Sequence, residues 1–278
     1  MKDSIGIIGQ GFVGTAVREG LKKVFNIETY DKYDEDKSSC SLSKMVEVCN
    51  VIFVCVPTPM KKDGSCDTSI VESVIEELNE NQKELIVVIK STVPPGTTNQ
   101  LNKKYKKLSV IFNPEFLTEA NFIEDFKNQK RIILGGTRKG TNKLRQIYGY
   151  VFPKAHIIKT GSITAEMIKY LTNTFLSTKV SFANEMYLLC DKLGIDYDKV
   201  VEYATLDDRL GVTHWNVPGP DGDFGFGGHC FPKDLRALIS ICDEYDLDVD
   251  VLRSVIHTND KVRKDRDWEK MKGRAVVE

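Results

Sequence analysis

Ile5-Gly6-Ile7-Ile8-Gly9-Gln10-Gly11-Phe12-Val13-Gly14 is the stretch that decides the fold. The β-branched run Ile5–Ile8 leads directly into Gly9, Gly11 and Gly14 in a GxGxxG spacing, and a helical pattern continues from Phe12 to Lys22. Glycines so placed let the backbone turn tightly and approach an anion, which then meets the N–H donors and positive dipole end of the helix. GxGxxG alone describes any tight strand-to-helix turn; the strand before it and the helix after it make it a dinucleotide-binding signal. Phe12 and Val13, the first helical positions, belong to the same contact surface. Asp31 closes the next β-branched run, Ile27–Tyr30, 17 positions after Gly14. A carboxylate there can accept both ribose hydroxyls and repels a 2′-phosphate, so NAD is the expected cofactor rather than NADP. Lys32, beside it, is the one residue that would tolerate a phosphate.

Beyond this unit the rhythm repeats. Short β-branched runs at Val51–Val56, Leu85–Ile89, Val110–Phe112, Ile132–Leu134 and His156–Ile158 alternate with amphipathic stretches. The pattern is that of an α/β fold, a Rossmann-like parallel sheet with helices on both faces, over residues 1–160. After Gly161 it changes: Thr164 to Leu193 holds neither Gly nor Pro, with Ser162 and Thr164 as N-cap candidates. One helix of roughly 30 residues, about 45 Å long, is expected there. Gly194 ends it, Asp196 or Asp198 starts a shorter helix through Ala204, and Asp207 to Pro232 reads as a loop. Helices from Lys233 to about Tyr245 and from about Val249 to Val262 complete an all-helical domain, 161–262, ahead of a tail at 263–278. The apolar residues Trp268, Met271, Val276 and Val277 suggest that this tail docks on its own or a neighbouring chain.

The chain's 278 residues, 41% hydrophobic and 28% charged, suffice for a full core, and a net charge of -1 excludes global attraction to nucleic acid or anionic lipid. Seven cysteines without a CxxC pair indicate neither a disulfide framework nor a zinc ribbon, His156, His214 and His257 show no metal spacing and the lone His229 reads as structural, so no metal is expected. The first strand lies too near Met1 for a signal peptide and no apolar run has the length of a membrane span, so a cytoplasmic protein without a membrane partner is expected.

Three further segments, Val54-Cys55-Val56-Pro57-Thr58-Pro59, Lys90-Ser91-Thr92-Val93-Pro94-Pro95-Gly96-Thr97 and Asn113-Pro114-Glu115-Phe116-Leu117-Thr118-Glu119-Ala120, each follow an expected strand, where open α/β sheets bind ligands. A fourth, Gly225-Phe226-Gly227-Gly228-His229-Cys230-Phe231-Pro232-Lys233-Asp234, puts a thiol between a glycine-rich loop and a Pro-initiated helix, whose N–H groups would stabilise a thiolate. Glu166-Met167-Ile168-Lys169-Tyr170-Leu171-Thr172-Asn173 lies on the long helix, with Lys169 and Asn173 four apart and therefore on one face.

Together these segments resemble the UDP-glucose/GDP-mannose dehydrogenase family, from about residue 4 to residue 262. The resemblance implies oxidation of a nucleotide sugar's C6 alcohol to the carboxylate by two hydride transfers to NAD, with UDP-glucose to UDP-glucuronate as the first choice. Cys230 would form a thiohemiacetal and then a thioester; Lys169 and Asn173 would stabilise the oxyanion; Asp234 would position a water or the nucleophile. Glu115 would activate or orient the hydrolytic water, with Thr92 holding that water or the nicotinamide and Glu119 in support. Val56, Thr58, Thr92 and Lys233, the last towards the pyrophosphate, would complete the cofactor contacts. Phe116, Leu117, Arg209, Phe224, Gly225 and Gly227 would join Glu115, Glu119, Lys169 and Asn173 on the substrate side. A homodimer through the long helix is implied as well.

Other readings stand beside these. Cys40, Cys49, Cys55, Cys66, Cys190 and Cys242 read as packing or surface residues, Lys169 and Asn173 alone would pass for a solvated helix stripe, and Glu115 and Glu119 for helix-start charges. A two-electron hydroxyacid or 6-phosphogluconate-type dehydrogenase shares this layout, and a non-catalytic nucleotide-binding partner protein is the remaining alternative. Family members usually continue into a second Rossmann-like domain, where this sequence has the tail 263–278. A partner subunit or the tail closing the cleft, a fragment of a longer protein, and a smaller substrate are the three explanations left open.

Overall fold

The computed structural model describes residues 4–278. The chain divides into two units, one comprising residues up to Thr58 together with Thr68–Lys169, the other Pro59–Asp67 together with Tyr170–Glu278.

The first unit is a seven-stranded sheet. Its strands are β1 (Ser4–Ile8), β2 (Asn26–Tyr30), β3 (Val51–Val54), β4 (Leu85–Ile89), β5 (Leu108–Phe112), β6 (Arg131–Gly136) and β7 (His156–Thr160), in the order β2-β1-β3-β4-β5-β6-β7. Strand order reverses at β1, which pairs in parallel with both β2 and β3. A crevice therefore opens beyond the carboxyl ends of these strands, just where the glycine turn leaves β1.

The period-two alternation sorts the core. Ile52, Val54, Val87, Ile89, Val110 and Phe112 face α2 (Leu42–Val48), α3 (Ser69–Glu80), α4 (Thr97–Lys104) and the start of α7 (Ser162–Leu193), represented by Met45, Ile75, Leu101 and Ala165. Ile5, Ile7, Val51, Phe53, Val88 and Ile111 face α1 (Phe12–Leu21), α5 (Phe122–Lys127) and α6 (Arg138–Val151) through Val17, Leu21, Phe126, Leu144 and Tyr148. Strands covered on both faces read as unbroken apolar runs, as the fully buried Val51-Ile52-Phe53-Val54 shows.

One pairing departs from the expected all-parallel sheet: β5 and β6 are antiparallel, with Ile111 opposite Gly136 and Phe112 opposite Gly135. The connection between them, residues 113–130, contains only the six-residue α5, about 9 Å of helix, which is shorter than a strand of about 17 Å. The 14-residue α6 is long enough, and β7 accordingly lies parallel to β6.

The second unit is helical. Helix α7 is 32 residues long, about 48 Å, and its residues from Tyr170 onward belong here. Gly194, at φ +67, closes it in the left-handed conformation, and the Ile195 N–H returns to the Cys190 carbonyl at 2.9 Å. Asp196 caps α8 (Tyr197–Ala204), accepting from the Lys199 N–H at 3.3 Å. Helix α9 (Phe231–Glu244) begins two residues before the expected Lys233, because Pro232 in its first turn costs no hydrogen bond there. Helix α10 (Asp250–Val262) follows. The tail docks on its own chain: Trp268, in the short 3-10 helix Asp267–Lys270, is 2% exposed, and Met60 exchanges backbone hydrogen bonds with Ala275 (2.8 Å) and Val277 (2.9 Å). Among the described residues no helix is long and apolar enough to cross a membrane, and no group of three or more His, Cys, Asp and Glu side chains could hold a metal ion.

Candidate active site

In the first unit the glycine turn has the shape its spacing predicts. Gly9 adopts φ +86, and a Cβ there would lie 2.6 Å from the Cys55 carbonyl oxygen, while a Cβ on Gly14 would lie 1.8 Å from the Gly9 carbonyl oxygen. Both positions are closed to side chains by backbone. A Cβ on Gly11 would meet nothing within 4 Å. Gly11 is the N-cap of α1 and supplies no side-chain cap, so the turn offers open space at the positive end of a helix dipole. Phe12 and Val13, both half-buried, occupy the first turn, where the Phe12 ring meets Phe122 edge-on at 6.2 Å. Asp31 is drawn to the same place, since its Oδ2 accepts the Gln10 N–H at 2.7 Å and its Oδ1 the Tyr33 N–H at 3.1 Å. A carboxylate pinned beside the glycine turn and an uncrowded backbone there fit the adenosine ribose and pyrophosphate of a dinucleotide.

Past β3, Val56 is half-buried and Thr58 buried, and the Val56 carbonyl accepts from the Ser91 hydroxyl at 2.6 Å. Thr92 is buried just beyond β4. Glu115 follows β5 and is 6% exposed; its Oε1 lies 2.7 Å from the Nζ of Lys169, itself 3% exposed, which also donates to the Glu115 carbonyl at 2.7 Å. The Leu117 N–H donates to Glu115 Oε2 at 2.6 Å, and the half-buried Phe116 ring lies 5.6 Å from Lys169 Nζ. Burial opposes ionisation of Glu115, but the Lys169 charge and hydrogen bond, the Leu117 N–H and the Lys90 charge outweigh it and hold the carboxyl below its usual range. Glu119, four residues on in the irregular segment after β5, is exposed.

Lys90, quoted in the sequence only as part of a segment, is part of this cluster. It is buried and donates to Asn113 Oδ1 at 3.1 Å and the Pro114 carbonyl at 3.5 Å. Tyr148 also donates to Asn113 Oδ1, at 2.5 Å, and the Asn113 amide donates to the Ile133 carbonyl at 2.8 Å. Burial pushes the Lys90 ammonium down to about 8 against the pull of Cys55 and Glu115. The available signal was a lysine directly extending the apolar strand Leu85–Ile89, where a solvated side chain has no room. Glu166, in the first turns of α7, accepts from the N–H groups of Gly96 (2.6 Å) and Thr98 (2.9 Å), fixing the loop after Thr92 to the helix that carries Lys169.

In the second unit, Cys230 is the N-cap of α9 and half-buried. Asp234, 1% exposed, stands one turn along; its N–H returns to the Cys230 carbonyl at 2.9 Å, its Oδ2 accepts from the Asn173 amide at 2.6 Å and its Oδ1 from Lys233 Nζ at 2.5 Å. Lys233 is buried and spends its charge on its neighbour: burial works against the ammonium, but the Asp234 carboxylate, with Cys66 and Cys230 nearby, holds it above the usual lysine range. Arg209 is exposed and paired with Asp207. Phe224 is half-buried against the Tyr187 ring at 5.5 Å.

The glycine-rich loop has its backbone already engaged. The Gly225 N–H donates to Asn184 Oδ1 (3.0 Å), that of Phe226 to Asn259 Oδ1 (2.7 Å) and that of Gly228 to Asp267 Oδ2 (2.9 Å). A Cβ on Gly225 or Gly227 would run into Asn259, or into Arg263 and Asp267. Asn184, Asn259, Arg263 and Asp267 were not among the residues singled out in the sequence, where nothing local marks them as partners of a loop 33 to 41 positions away.

Comparison with known proteins agrees with this layout. The family model described as the UDP-glucose/GDP-mannose dehydrogenase family, NAD binding domain, matches residues 17–152, and that family's central domain matches residues 163–261. The glycine turn precedes the first match, so its reading rests on its geometry; Cys230, Lys169, Asn173 and Asp234 lie inside the second. UDP-glucose 6-dehydrogenase of Rickettsia prowazekii (strain Madrid E) is 39% identical over 217 residues, 76% of this chain and 49% of that protein. The enzyme of the same name from Rickettsia bellii (strain RML369-C) is 41% identical over 215 residues, 75% of this chain and 48% of the other. This chain thus spans about half the length of the curated relatives it matches. Among solved structures, a UDP-glucose dehydrogenase from the hyperthermophilic archaeon Pyrobaculum islandicum superposes with a TM-score of 0.84 at 29% identity, covering 94% of this chain and 68% of that one. With an NAD-binding domain and a central domain both recognised, the chain belongs to the UDP-glucose/GDP-mannose dehydrogenase family.

Proposed function

We propose that this chain oxidises the C6 alcohol of a nucleotide sugar to the carboxylate, with UDP-glucose to UDP-glucuronate as the reaction, through covalent intermediates on Cys230. The observation that carries the reading is Cys230 itself: a half-buried thiol at the N-terminal end of a helix, with a buried carboxylate, Asp234, one turn along and tied to Asn173. The N-terminal end of a helix favours negative charge, which activates a sulfur nucleophile.

Two NAD molecules, bound in turn, would each accept one hydride. In the first oxidation the substrate alcohol loses a hydride from C6 and its hydroxyl proton, leaving an aldehyde. The Cys230 sulfur then adds to the carbonyl carbon and the oxygen takes up a proton, giving a thiohemiacetal. Loss of the remaining C6 hydride and that proton leaves a thioester. Water attacks it, the C–S bond breaks, the thiol regains a proton and the carboxylate departs. Lys169 and Asn173, which share a face of α7, are assigned to the oxyanions of these steps. Glu115 is assigned to the water: held ionised by Lys169, it can accept a hydrogen bond from that water and orient it at neutral pH. Asp234 orients Asn173 and the first turn of α9.

Two associated proposals follow. A catalytic thiol works only while reduced, which favours a reducing compartment such as the cytoplasm for the activity. Leu171, Phe175, Phe182, Leu189 and Leu193 are exposed along α7 at spacings of four and seven, an apolar stripe suited to packing against a second copy of the chain.

The test is a panel of nucleotide sugars assayed for NADH, with Cys230→Ala alongside. Two NADH per substrate for the parent and at most one for Cys230→Ala are expected. One NADH per substrate, indifferent to the substitution, would establish the two-electron hydroxyacid chemistry instead; NAD binding with no turnover on any sugar would establish a non-catalytic partner protein.

A further inference from the structure

We infer that Arg263 and Asp267, at and just beyond the end of α10, are positioning residues that set the glycine-rich loop leading into Cys230. The inference concerns the shape of that loop and rests on the reading above only in taking Cys230 as the reacting thiol.

The Arg263 guanidinium is almost completely buried, an arrangement tolerated only where its charge is compensated. Its Nη1 lies 2.7 Å from Asp221, its Nη2 3.3 Å from Asp267 and its Nε 3.6 Å from Asp223, and Nε donates to the Asp265 carbonyl at 2.8 Å. Two of the three carboxylates precede the glycine loop and the third follows α10, so one planar cation gathers both segments. Asp267 then passes the constraint on, since its Oδ2 accepts the Gly228 N–H at 2.9 Å, two residues before Cys230. Asp223 locks the other end: its Oδ2 accepts the Asp265 N–H at 3.0 Å and its Oδ1 the Phe224 N–H at 2.8 Å.

Glycine at 227 is explained by the same contact. A Cβ there would sit 2.3 Å from both Arg263 Nη2 and Asp267 Oδ1, so only a residue without a side chain lets the ion pair lie flat against the loop. Trp268, buried directly after Asp267, anchors the far side of the clamp in the body of the unit. The geometry therefore makes the 263–268 segment a strap over the loop. Removing the Asp267 carboxylate frees one end of the strap while leaving Arg263 two carboxylates, so the chain retains charge compensation and folds.

The experiment is amide hydrogen exchange at Gly228 together with the iodoacetamide alkylation rate of Cys230, read by peptide mass spectrometry in the full chain, for Asp267→Ala and Asp267→Asn. For Asp267→Ala we expect Gly228 to exchange at least tenfold faster and Cys230 to alkylate at least threefold faster, with half-buried Cys242 on α9 unchanged as the internal control. Asp267→Asn, which keeps an acceptor oxygen for the Gly228 N–H, should retain slow exchange at that amide. On an active substrate, kcat of Asp267→Ala should fall about tenfold with KM for NAD unchanged, which a general loss of stability would not produce. Exchange and alkylation in Asp267→Ala both within twofold of the parent would overturn the inference even if the parent is active. Faster exchange and alkylation in a parent that makes no NADH would leave the strap standing and remove the enzymatic reading instead.

Discussion

Replacing Lys169 by methionine should turn Glu115 from an asset into a liability, by an amount that depends on pH. In the parent, Glu115 and Lys169 are 6% and 3% exposed and 2.7 Å apart. Breaking a buried pair by deleting one partner costs about 3–5 kcal/mol, because the remaining charge stays desolvated. Lys90 and the Leu117 N–H still favour the Glu115 carboxylate, so the low end, about 3 kcal/mol at pH 8, is expected. The pH dependence follows from the sign of the shift. In the parent the folded-state pKa lies below the ordinary carboxylate value, so Glu115 contributes stability that is complete above that value and lost as pH falls through the depressed one. Without Lys169, burial dominates and the folded-state pKa rises above the unfolded one. The carboxylate then costs stability at neutral pH, and protonation relieves that cost as pH falls, at about 1.4 kcal/mol per pH unit at most. Urea unfolding of the parent and Lys169→Met at pH 8 and pH 5 measures both, and the loss should shrink to about 1 kcal/mol at pH 5. Adding Glu115→Leu to Lys169→Met should recover most of the loss at pH 8, since an apolar pair leaves no orphaned charge. A loss under about 1 kcal/mol at pH 8, or equal losses at the two pH values, would refute the reasoning.

Lys90 titrates in the opposite sense: its folded pKa is lowered to about 8, so the unfolded chain holds more protons between there and its ordinary value. Its contribution to stability should therefore rise with pH across that interval, and the stability difference between parent and Lys90→Met, followed by urea unfolding, should show that rise. Gly11→Ala, whose Cβ meets only open space, should leave the urea midpoint unchanged while weakening NAD binding at least tenfold by calorimetry; unchanged affinity would show that the pyrophosphate does not lie against this turn. Phe175→Asp, within the exposed stripe on α7, should give monomers by light scattering where the parent is dimeric.

Much of this protein was legible in its residue order. Five of the seven strands, β1, β3, β4, β5 and β6, appear as apolar runs because a strand covered on both faces has no polar side to show, and the long helix appears as thirty residues free of Gly and Pro. The glycine turn was readable for a stronger reason: at Gly9 and Gly14 the backbone itself occupies the space a Cβ would need, which restricts the residue type at each position separately. The direction of β6 was not readable, because Ile132–Leu134 has the same apolar pattern in either direction and the connections before and after it, residues 113–130 and 137–155, are of similar length. Lys90 escaped notice for a related reason, since a lysine at the end of a strand looks solvated until the helix packed above it, represented by Phe126 at 5.9 Å, is in place.

The sequence by itself determined the fold class, the glycine turn after β1 and the segments that follow the strands, each of which depends on dihedral preferences and burial patterns contained in a few neighbouring residues. Tertiary structure alone decided which buried groups are partners: Glu115 with Lys169 across 54 positions, Asn173 with Asp234 across 61, Asp267 with Gly228 across 39. Such pairings are settled when remote segments are packed together and every buried polar atom must find a complement, a condition that acts on positions in space and leaves no periodic trace along the chain.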